Sequence, residues 1–201
     1  MIHICNFRSK VKDFIDTTSR SKTWSKYLSP FFLGPVDLYA GHKSRNVENA
    51  WQYSKVYPEH ADAEGNPTQA YFDWAAAGWA KDYADRYPMG KGRKPLYSWW
   101  DGEKLGYVEA RKRIYCPLYA KAVEGTESFR KLKEVYAEKG EIWLWDFDGY
   151  DHHKLGWSYQ QCLDCDTKKM GHAFVLAMML DGQRLWEKKD ESSSVPVDQT
   201  P

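Results

Sequence analysis

Both the fold and a candidate site are first indicated by the stretch Asn46-Val47-Glu48-Asn49-Ala50-Trp51-Gln52-Tyr53-Ser54-Lys55. It follows a glycine-containing turn and predicts a helix over Val47 to Val56. Four side chains recur at steps of three and four residues and so share one predicted helical face: Glu48, Trp51, Gln52 and Lys55. A core-building stripe would carry Leu, Ile and Val, and a solvent face would carry no Trp. The mixed face favours a site for a flat, polar, charged ligand; the alternative is an amphipathic helix with one surface Glu–Lys pair.

The composition of the whole chain limits the classes of function. With 201 residues the chain is long enough for one domain with a substantial core. A formal net charge of +1 excludes a global field that would attract nucleic acid or membrane, so any nucleic-acid contact would need a local patch. Aromatic residues make up 16% of the chain, including 10 Trp and 14 Tyr, and such rings suit stacking on bases or sugars as well as ordinary cores.

The chain has no apolar run long enough to cross a bilayer, and its N-terminus lacks the pattern of a signal peptide. We therefore expect a cytoplasmic protein without a membrane partner. Its 4 cysteines are then expected to be reduced. The sequence does not indicate an oligomeric state.

The pattern of apolar residues predicts an α+β fold, mainly α-helical, as a single domain over residues 1–187 with a few short strands. The Ser-, Pro- and charge-rich segment 188–201 is expected to be a disordered tail. Strands are expected at Ile2–Phe7 and Ile142–Phe147. Besides the helix already described, four helical segments are expected: Thr68–Tyr83, Leu105–Val123 with an interruption at Pro117, a segment that begins at the N-cap candidate Thr126, and Gly171–Trp186.

A second candidate site is the acidic stretch Trp145-Asp146-Phe147-Asp148-Gly149-Tyr150. Carboxylates at the point where a strand gives way to a loop are a frequent arrangement in binding sites. Alternation along a strand would point Asp146 and Asp148 to one side and Phe147 to the other. The functional interpretations are hydrogen bonding to sugar hydroxyls, activation of a water and metal binding. The alternative is an Asp-Gly turn with solvated carboxylates.

A third candidate is the loop Gly90-Lys91-Gly92-Arg93-Lys94-Pro95. Glycines let backbone amides approach a phosphate closely, and Lys and Arg neutralise its charge. The loop is not a Walker motif, because the Gly-Lys-Ser/Thr ending is missing. Phosphate contact by Lys91, Arg93 and Lys94 is the functional interpretation, and a mobile surface turn is the alternative.

A metal site has weaker support in the sequence. His152 and His153, together with Cys162 and Cys165, are residue types that bind zinc, but their spacing is not that of a zinc module. Reduced thiols on a loop are the simpler interpretation. We therefore expect no metal and no cofactor.

The order of short motifs resembles the NADAR family, the group that includes the riboflavin-intermediate N-glycosidases. The matching pieces are, in chain order, Asn6-Phe7, Leu28-Ser29-Pro30-Phe31, Glu48 with Trp51-Gln52 and Lys55, and Gly171-His172-Ala173-Phe174-Val175-Leu176-Ala177-Met178. The resemblance covers residues 1 to 185 in order, and it implies a NADAR-like α+β domain.

The chain departs from the NADAR pattern at three places. The family's Glu-His pair is Glu48-Asn49 here, and its Trp-Gly stretch is replaced by residues 145–150. Its terminal glycine signature is reduced to Met170-Gly171-His172. The chain therefore resembles a divergent member. A phage-encoded relative of this kind would act in the host cytoplasm.

The resemblance implies a hydrolase that cleaves an N-glycosidic bond between ribose and a base. The implied substrates are ADP-ribosylated guanine in nucleic acid or a nucleotide-like small molecule such as a phosphoribosylamino pyrimidine. Glu48 would be the principal catalytic carboxylate, with Asp146 or Asp148 positioning the ribose or acting as a second acid or base. The expected substrate contacts are Trp51, Gln52, Lys55, Tyr150, Lys91, Arg93, Lys94 and His172.

Two other classes of function stay open at this point. A non-catalytic module that sequesters a nucleotide or an ADP-ribose-like ligand would use the same residues, and only turnover separates it from an enzyme. A structural interaction protein is the third interpretation, although the polar face around Glu48 argues against it.

Overall fold

The computed structural model describes residues 1–187, which form an α+β arrangement of short strands and helices. The strands are β1 (Ile2–Cys5), β2 (Ile15–Asp16), β3 (Val36–Asp37), β4 (Lys43–Ser44), β5 (Lys55–Val56), β6 (Tyr97–Trp100), β7 (Glu103–Leu105) and β8 (Ile142–Trp145). The α-helices are α1 (Val47–Gln52), α2 (Gln69–Trp79), α3 (Tyr107–Ala110), α4 (Cys116–Glu124), α5 (Glu127–Lys139), α6 (Tyr159–Asp164) and α7 (His172–Leu180). The expected division into one domain and a tail stays a prediction, because residues 188–201 lie outside the described part.

The strand β8 is the centre of a three-stranded sheet, with β1 and β2 paired to it in parallel on either side. Its side chains alternate: Ile142 and Leu144 are buried in the core, whereas Trp143 and Trp145 are half-buried on the outer face. The expected strand over residues 142–147 is two residues too long. The Gly149 amide donates to the Asp146 carbonyl at 3.1 Å, and this turn ends the strand after Trp145.

The helix α7 lies in the middle of the main hydrophobic core and packs against α4 and β1. Its residues from His172 to Met178 are all buried, which fits a helix that is apolar on nearly every side. The expected helix over Gly171–Trp186 is therefore confirmed at its start, but it ends at Leu180. The chain then turns at Gly182, whose φ of 66° is left-handed.

The helix α1 begins as expected and ends early. The Asn46 side chain caps it by accepting a hydrogen bond from the Asn49 amide at 2.8 Å. The helix stops at Gln52, and Ser54 Oγ donates to the Trp51 carbonyl at 2.8 Å, which satisfies one of the terminal acceptors. Lys55 therefore lies in β5, paired with β6, and the prediction that it shares a helical face with Glu48 is wrong.

The expected helix over Leu105–Val123 is confirmed as three helical pieces that follow one another without a break. It begins at Tyr107, passes through a π-helical turn at Arg111–Tyr115 and continues as α4. Pro117 has no amide hydrogen, and its ring would clash with the carbonyl four residues earlier in a regular helix. The wider π-turn directly before it relieves this conflict, so the helix bulges and does not break.

Some of the remaining elements agree with the expectations from the sequence, and others were not expected. The strand β1, the helix α2 and the Thr126 cap, whose hydroxyl accepts from the Phe129 amide at 3.1 Å, are confirmed. The sequence analysis missed β2, α6 and the β6–β7 hairpin. Within residues 1–187, no helix has the length and apolar content needed to cross a membrane. The cytoplasmic location stays a prediction.

Candidate functional site

A cavity of about 650 Å³ lies where α1, β5, the turn after β8 and the start of α7 meet. It brings together two candidate regions that are distant in the chain. Nine of the predicted site residues line it: Glu48, Trp51, Gln52, Lys55, Arg93, Lys94, Asp146, Asp148 and His172. The acid of the α1 region and both acids of the 145–150 region therefore face one concave surface.

On the α1 side, three polar side chains form a hydrogen-bonded relay. Gln52 Nε2 donates to Glu48 Oε1 at 2.9 Å, and Lys55 Nζ donates to Gln52 Oε1 at 2.7 Å. Glu48 is only 6% exposed. The amide of Gln52 therefore fixes the distance between a buried carboxyl group and an ammonium group that belongs to a neighbouring strand.

Burial of this relay changes the acidity of both of its ends. Burial raises the pKa of Glu48, and the hydrogen bond from Gln52 and the positive charges of Lys55, Arg86 and His172 oppose that rise only in part. Burial likewise lowers the pKa of Lys55 to about 8, against the opposing effect of Glu48. Both shifts favour the uncharged forms of the two groups.

The indole of Trp51 is half-buried at the cavity wall. It packs against Tyr115 at a ring-centroid distance of 5.3 Å and against Tyr107 at 6.5 Å. The Lys55 ammonium lies 4.8 Å from the indole centroid, within the range of a cation–π contact. Trp51 is thus in contact with two tyrosine rings and one ammonium group. Its role as a stacking surface for a ligand stays a prediction.

On the opposite side, Asp146 is held by the first turn of α7. Its Oδ2 accepts a hydrogen bond from the Ala173 amide at 3.1 Å and lies 3.2 Å from His172 Nδ1. A helix N-terminus favours a carboxylate because its first amides have no partner within the helix. Only glycine fits at position 171, since a Cβ there would lie 2.1 Å from Asp146 Oδ2.

The ring of His172 is oriented by two acceptors. His172 Nε2 lies 2.8 Å from the Thr17 carbonyl oxygen, which can only accept, so Nε2 carries a hydrogen. Its Nδ1 faces Asp146 Oδ2. With an acceptor facing each nitrogen, the ring is held in one orientation, and His172 links the 146 turn to the segment that follows β2.

Asp148 differs from Asp146 in being partly open to solvent. Its Oδ2 lies 3.4 Å from Arg86 Nη2, and both side chains are 31% exposed. The Arg86 guanidinium also lies 5.0 Å from the centroid of the Phe147 ring. The cavity therefore offers one enclosed acid, Asp146, and one accessible acid beside a guanidinium, Asp148.

The glycine-rich loop contributes only part of what was expected. Arg93 and Lys94 line the cavity, but Arg93 is also ion-paired with Glu59. Lys91 is exposed and is not among the lining residues, because it lies on a tight turn between Gly90 and Gly92, both with left-handed φ. The structure therefore does not bring Lys91 to the cavity, and a phosphate contact by Lys91 stays a prediction.

Tyr150 is a second predicted site residue that the structure does not bring to the cavity. Its ring packs in the main core, 4.6 Å from the Phe174 centroid and 6.2 Å from the Trp157 centroid, and it does not line the cavity. The preceding Gly149 packs against the Cys5 carbonyl, where a Cβ would lie at 2.3 Å. This close crossing over β1 carries the chain away from the cavity before Tyr150.

Two further residues, Arg111 and Tyr115, line the cavity. The sequence offers Arg111 only within a basic helix segment that could add to a phosphate patch, with a solvated face as the commoner interpretation, and it gives no prediction for Tyr115. Arg111 is 1% exposed and lines the cavity, and its guanidinium donates to four carbonyls, those of Cys162, Leu163, Cys165 and Lys168. Its place in a basic run indicates a solvated face, but its four-residue step to Tyr115 was the signal that it shares a buried face. The pKa of Tyr115 is raised mainly by burial and further by the charges of Asp146 and Glu48, so both acids act on the same ring.

The side chains considered for zinc are dispersed. Across residues 1–187, no group of three or more His, Cys, Asp or Glu side chains is arranged to hold a metal ion. His152 is buried against Tyr159, with ring centroids 4.9 Å apart, and burial lowers its pKa to about 4. Cys162 and Cys165 are free thiols.

The geometry therefore defines an α+β protein with a polar, acid-containing cavity. By its sequence the chain belongs to DUF6939, a family of unknown function, whose model matches residues 5–154. The matched segment includes Glu48, Asp146 and Asp148 but ends before His172. Comparisons with curated proteins and with solved structures gave no match.

Proposed function

We propose that this protein hydrolyses the N-glycosidic bond between a ribose and a nitrogenous base. The observation that carries the proposal is the convergence of Glu48 and Asp148 on one cavity that also contains an indole and several cations. The NADAR-like order of motifs supports the same class of reaction. The candidate substrates are those that the resemblance implies: ADP-ribosylated guanine and a phosphoribosylamino pyrimidine.

Glu48 is buried and Asp148 is partly exposed, and this difference in surroundings suits a division of roles. Glu48, whose pKa is raised by burial, is the proton donor to the base nitrogen as the bond from ribose C1′ breaks and its electron pair leaves with the base. Asp148 stabilises the positive charge on the ribose and takes a proton from the water that attacks C1′. Exchange with solvent then restores both groups.

The other lining residues hold the substrate. Trp51 offers a face to the base. Arg86, Arg93 and Lys94 are placed for phosphate oxygens. Asp146 keeps its position through α7 and His172, which makes it a positioning residue that shapes the ribose pocket.

The test is product release under excess substrate. Purified protein is incubated with an ADP-ribosylated guanine oligonucleotide and, separately, with a phosphoribosylamino pyrimidine, and the free base is quantified by chromatography. We expect many turnovers on one of the two and almost none for Glu48→Gln. Equal turnover by Glu48→Gln would remove Glu48 from the chemistry, and no base release from either substrate would refute the proposed reaction.

The alternative, a protein that sequesters an ADP-ribose-like ligand, is supported by one observation. Glu48, Gln52 and Lys55 satisfy one another without a ligand, as expected for a preformed binding site. Stoichiometric binding of ADP-ribose with no base released from any bound substrate would favour this alternative.

A further inference from the structure

The outer face of the three-stranded sheet carries a row of aromatic rings that leads to the cavity. Trp143 and Trp145 are two residues apart on β8 and therefore project on the same face, about 7 Å apart. The Trp145 ring contacts Phe147 at a centroid distance of 5.0 Å and Phe14 at 6.2 Å. Phe147 itself lines the cavity. We name Trp143, Trp145, Phe14 and Phe147 the aromatic strip.

The rings of the strip are only partly covered. Phe14 is 40% exposed, and both tryptophans are half-buried. Beside Trp143 the sheet face forms a shallow groove of about 530 Å³, lined by His3, Lys10 and Trp143 among others. The strip thus leaves ring surface open on the outer side of the molecule, beyond the cavity that holds Glu48.

Positive charge accompanies these rings. The Arg20 guanidinium lies 5.2 Å and the Arg86 guanidinium 5.0 Å from the Phe147 centroid, and Lys10 lies at the groove beside Trp143. Residues 7–22, which include Phe14, contain five basic and two acidic side chains in a chain whose net charge is only +1. Both acids are already bonded, Asp13 to Lys139 and Asp16 to the Thr18 amide. Residues 7–22 therefore carry a formal excess of three positive charges, while Arg86 is paired with Asp148 and the groove beside Trp143 also contains Asp151 and Lys154.

We propose that the aromatic strip, with Lys10, Arg20 and Arg86 beside it, binds single-stranded nucleic acid. Unpaired bases stack on exposed aromatic rings, and arginine and lysine contact the phosphates between them. A duplex offers no free base faces for such stacking. A protein partner is the competing occupant, but the excess of positive charge in residues 7–22 favours a polyanion.

The strip ends at Phe147, inside the cavity wall, so a strand that lies on it passes the cavity mouth. A nucleotide unstacked from that strand would enter the cavity, a step that rests on the proposed function. Strand binding itself does not depend on any reaction. The two proposals can therefore fail separately.

The experiment measures binding of a fluorescein-labelled 20-mer of oligo(dT) to the full chain by fluorescence anisotropy. We expect saturable binding, weaker for a duplex of the same length, with a slope of log K against log salt of about −2 if three phosphates are neutralised. Phe14→Ala should weaken binding by about 5-fold or more. Arg20→Ser should weaken binding and make the salt slope shallower.

The matched control is Tyr83→Ala. Tyr83 is 63% exposed and belongs to neither the strip nor the cavity lining, so its loss should leave the affinity unchanged. Thermal melts check that each variant is folded, and Phe14→Ala should retain turnover of any small ribosyl substrate that the wild type accepts. No binding of the oligonucleotide at low salt, or equal weakening by Phe14→Ala and Tyr83→Ala, would overturn the proposal.

Discussion

The two walls of the cavity hold their acids in different ways. Glu48 sits on α1 among side chains only: its carboxyl accepts from Gln52, which in turn accepts from Lys55. Asp146 sits after β8 and is held by a backbone amide of α7 and by the His172 ring. The first acid depends on side chains, of which Lys55 is titratable, whereas the second depends on a backbone amide at a helix N-terminus. We therefore propose proton chemistry for Glu48 and a positioning role for Asp146.

The largest expected effect is on kcat, and it distinguishes the α1 wall, which carries Glu48, from the α7 wall, which holds Asp146. Glu48→Gln keeps the size of the side chain but cannot donate a proton, so we expect kcat to fall by about 10²- to 10⁴-fold while the substrate still binds. Asp146→Asn should instead weaken binding and lower the melting temperature, because the contacts to Ala173 and His172 change. Turnover and binding of both variants are measured side by side. A loss of binding in Glu48→Gln with unchanged kcat would reverse the assignment.

The proton-donating role of Glu48 also predicts a pH profile. Because the pKa of Glu48 is raised by burial, its protonated form persists above the range of an ordinary glutamate. We expect kcat to fall as the pH rises through that raised pKa. The measurement is kcat from pH 5 to 9 for the wild type. A rate that only increases over this range would contradict a protonated Glu48.

A binding prediction tests the α1 wall through its indole. Trp51→Ala should weaken the binding of ADP-ribose by roughly 5- to 100-fold through the loss of a stacking face. Trp100→Ala, a half-buried tryptophan on β6 outside the cavity lining, is the control and should bind as the wild type does. Isothermal titration calorimetry gives both affinities. Similar affinities for the two variants would exclude Trp51 as a contact.

Two glycine substitutions sharpen the comparison for the α7 wall. A Cβ at Gly171 would lie 2.1 Å from Asp146 Oδ2, and a Cβ at Gly78 would lie 2.0 Å from the Tyr53 ring, remote from the acids. Each alanine variant should lose about 1–3 kcal/mol of unfolding free energy. Only Gly171→Ala should also bind ligand more weakly when the affinity is measured on folded protein. Denaturant titrations give the stability of each variant, and binding assays run in parallel give its affinity. Equal affinities for Gly171→Ala and Gly78→Ala would show that Asp146 does not contribute to ligand binding.

The smallest effect concerns Lys55 and the pH dependence of stability. Its folded-state pKa of about 8 is lower than its ordinary value of 10.5, so between these values the unfolded chain binds a proton that the folded chain does not. The free energy of unfolding of the wild type should therefore rise with pH across this window, relative to Lys55→Met. Urea titrations of both proteins from pH 7 to 10.5 test the sign. A difference that is constant with pH would show that Lys55 titrates normally.

Part of this structure follows from sequence patterns that act locally. The Thr126 cap, the starts of α1 and α7 and the position of β8 each depend on neighbours in the chain, and each is confirmed, although β8 ends two residues early. The end of α1 was missed because pairing of Lys55 with Ser98 on β6 ends the helix, and that partner is remote in the sequence. Tertiary contacts of this kind override local helix propensity.

The candidate site also combines features that depend on neighbours in the chain with features that depend on remote segments. The mixed polar and aromatic pattern of residues 48–55 identified one wall directly. Strand alternation gave no sign of the crossing of Gly149 over β1, after which Tyr150 lies outside the cavity lining. The basic run around Arg111 normally indicates a solvated face, so the burial of its guanidinium was not expected. The Arg111 guanidinium is buried against four carbonyls of residues 162–168. This contact joins two segments that are distant in the chain, so neither segment predicts it alone.

The central claim is that acids from two distant parts of the chain act on the two sides of one N-glycosidic bond. It is tested most directly by a crystal structure of Glu48→Gln with an ADP-ribosylated guanine nucleotide bound. The account predicts ribose C1′ inside the cavity, within direct or one-water reach of residue 48 and Asp148, and the base against Trp51. A nucleotide bound elsewhere, or a ribose in contact with neither side chain, would contradict it.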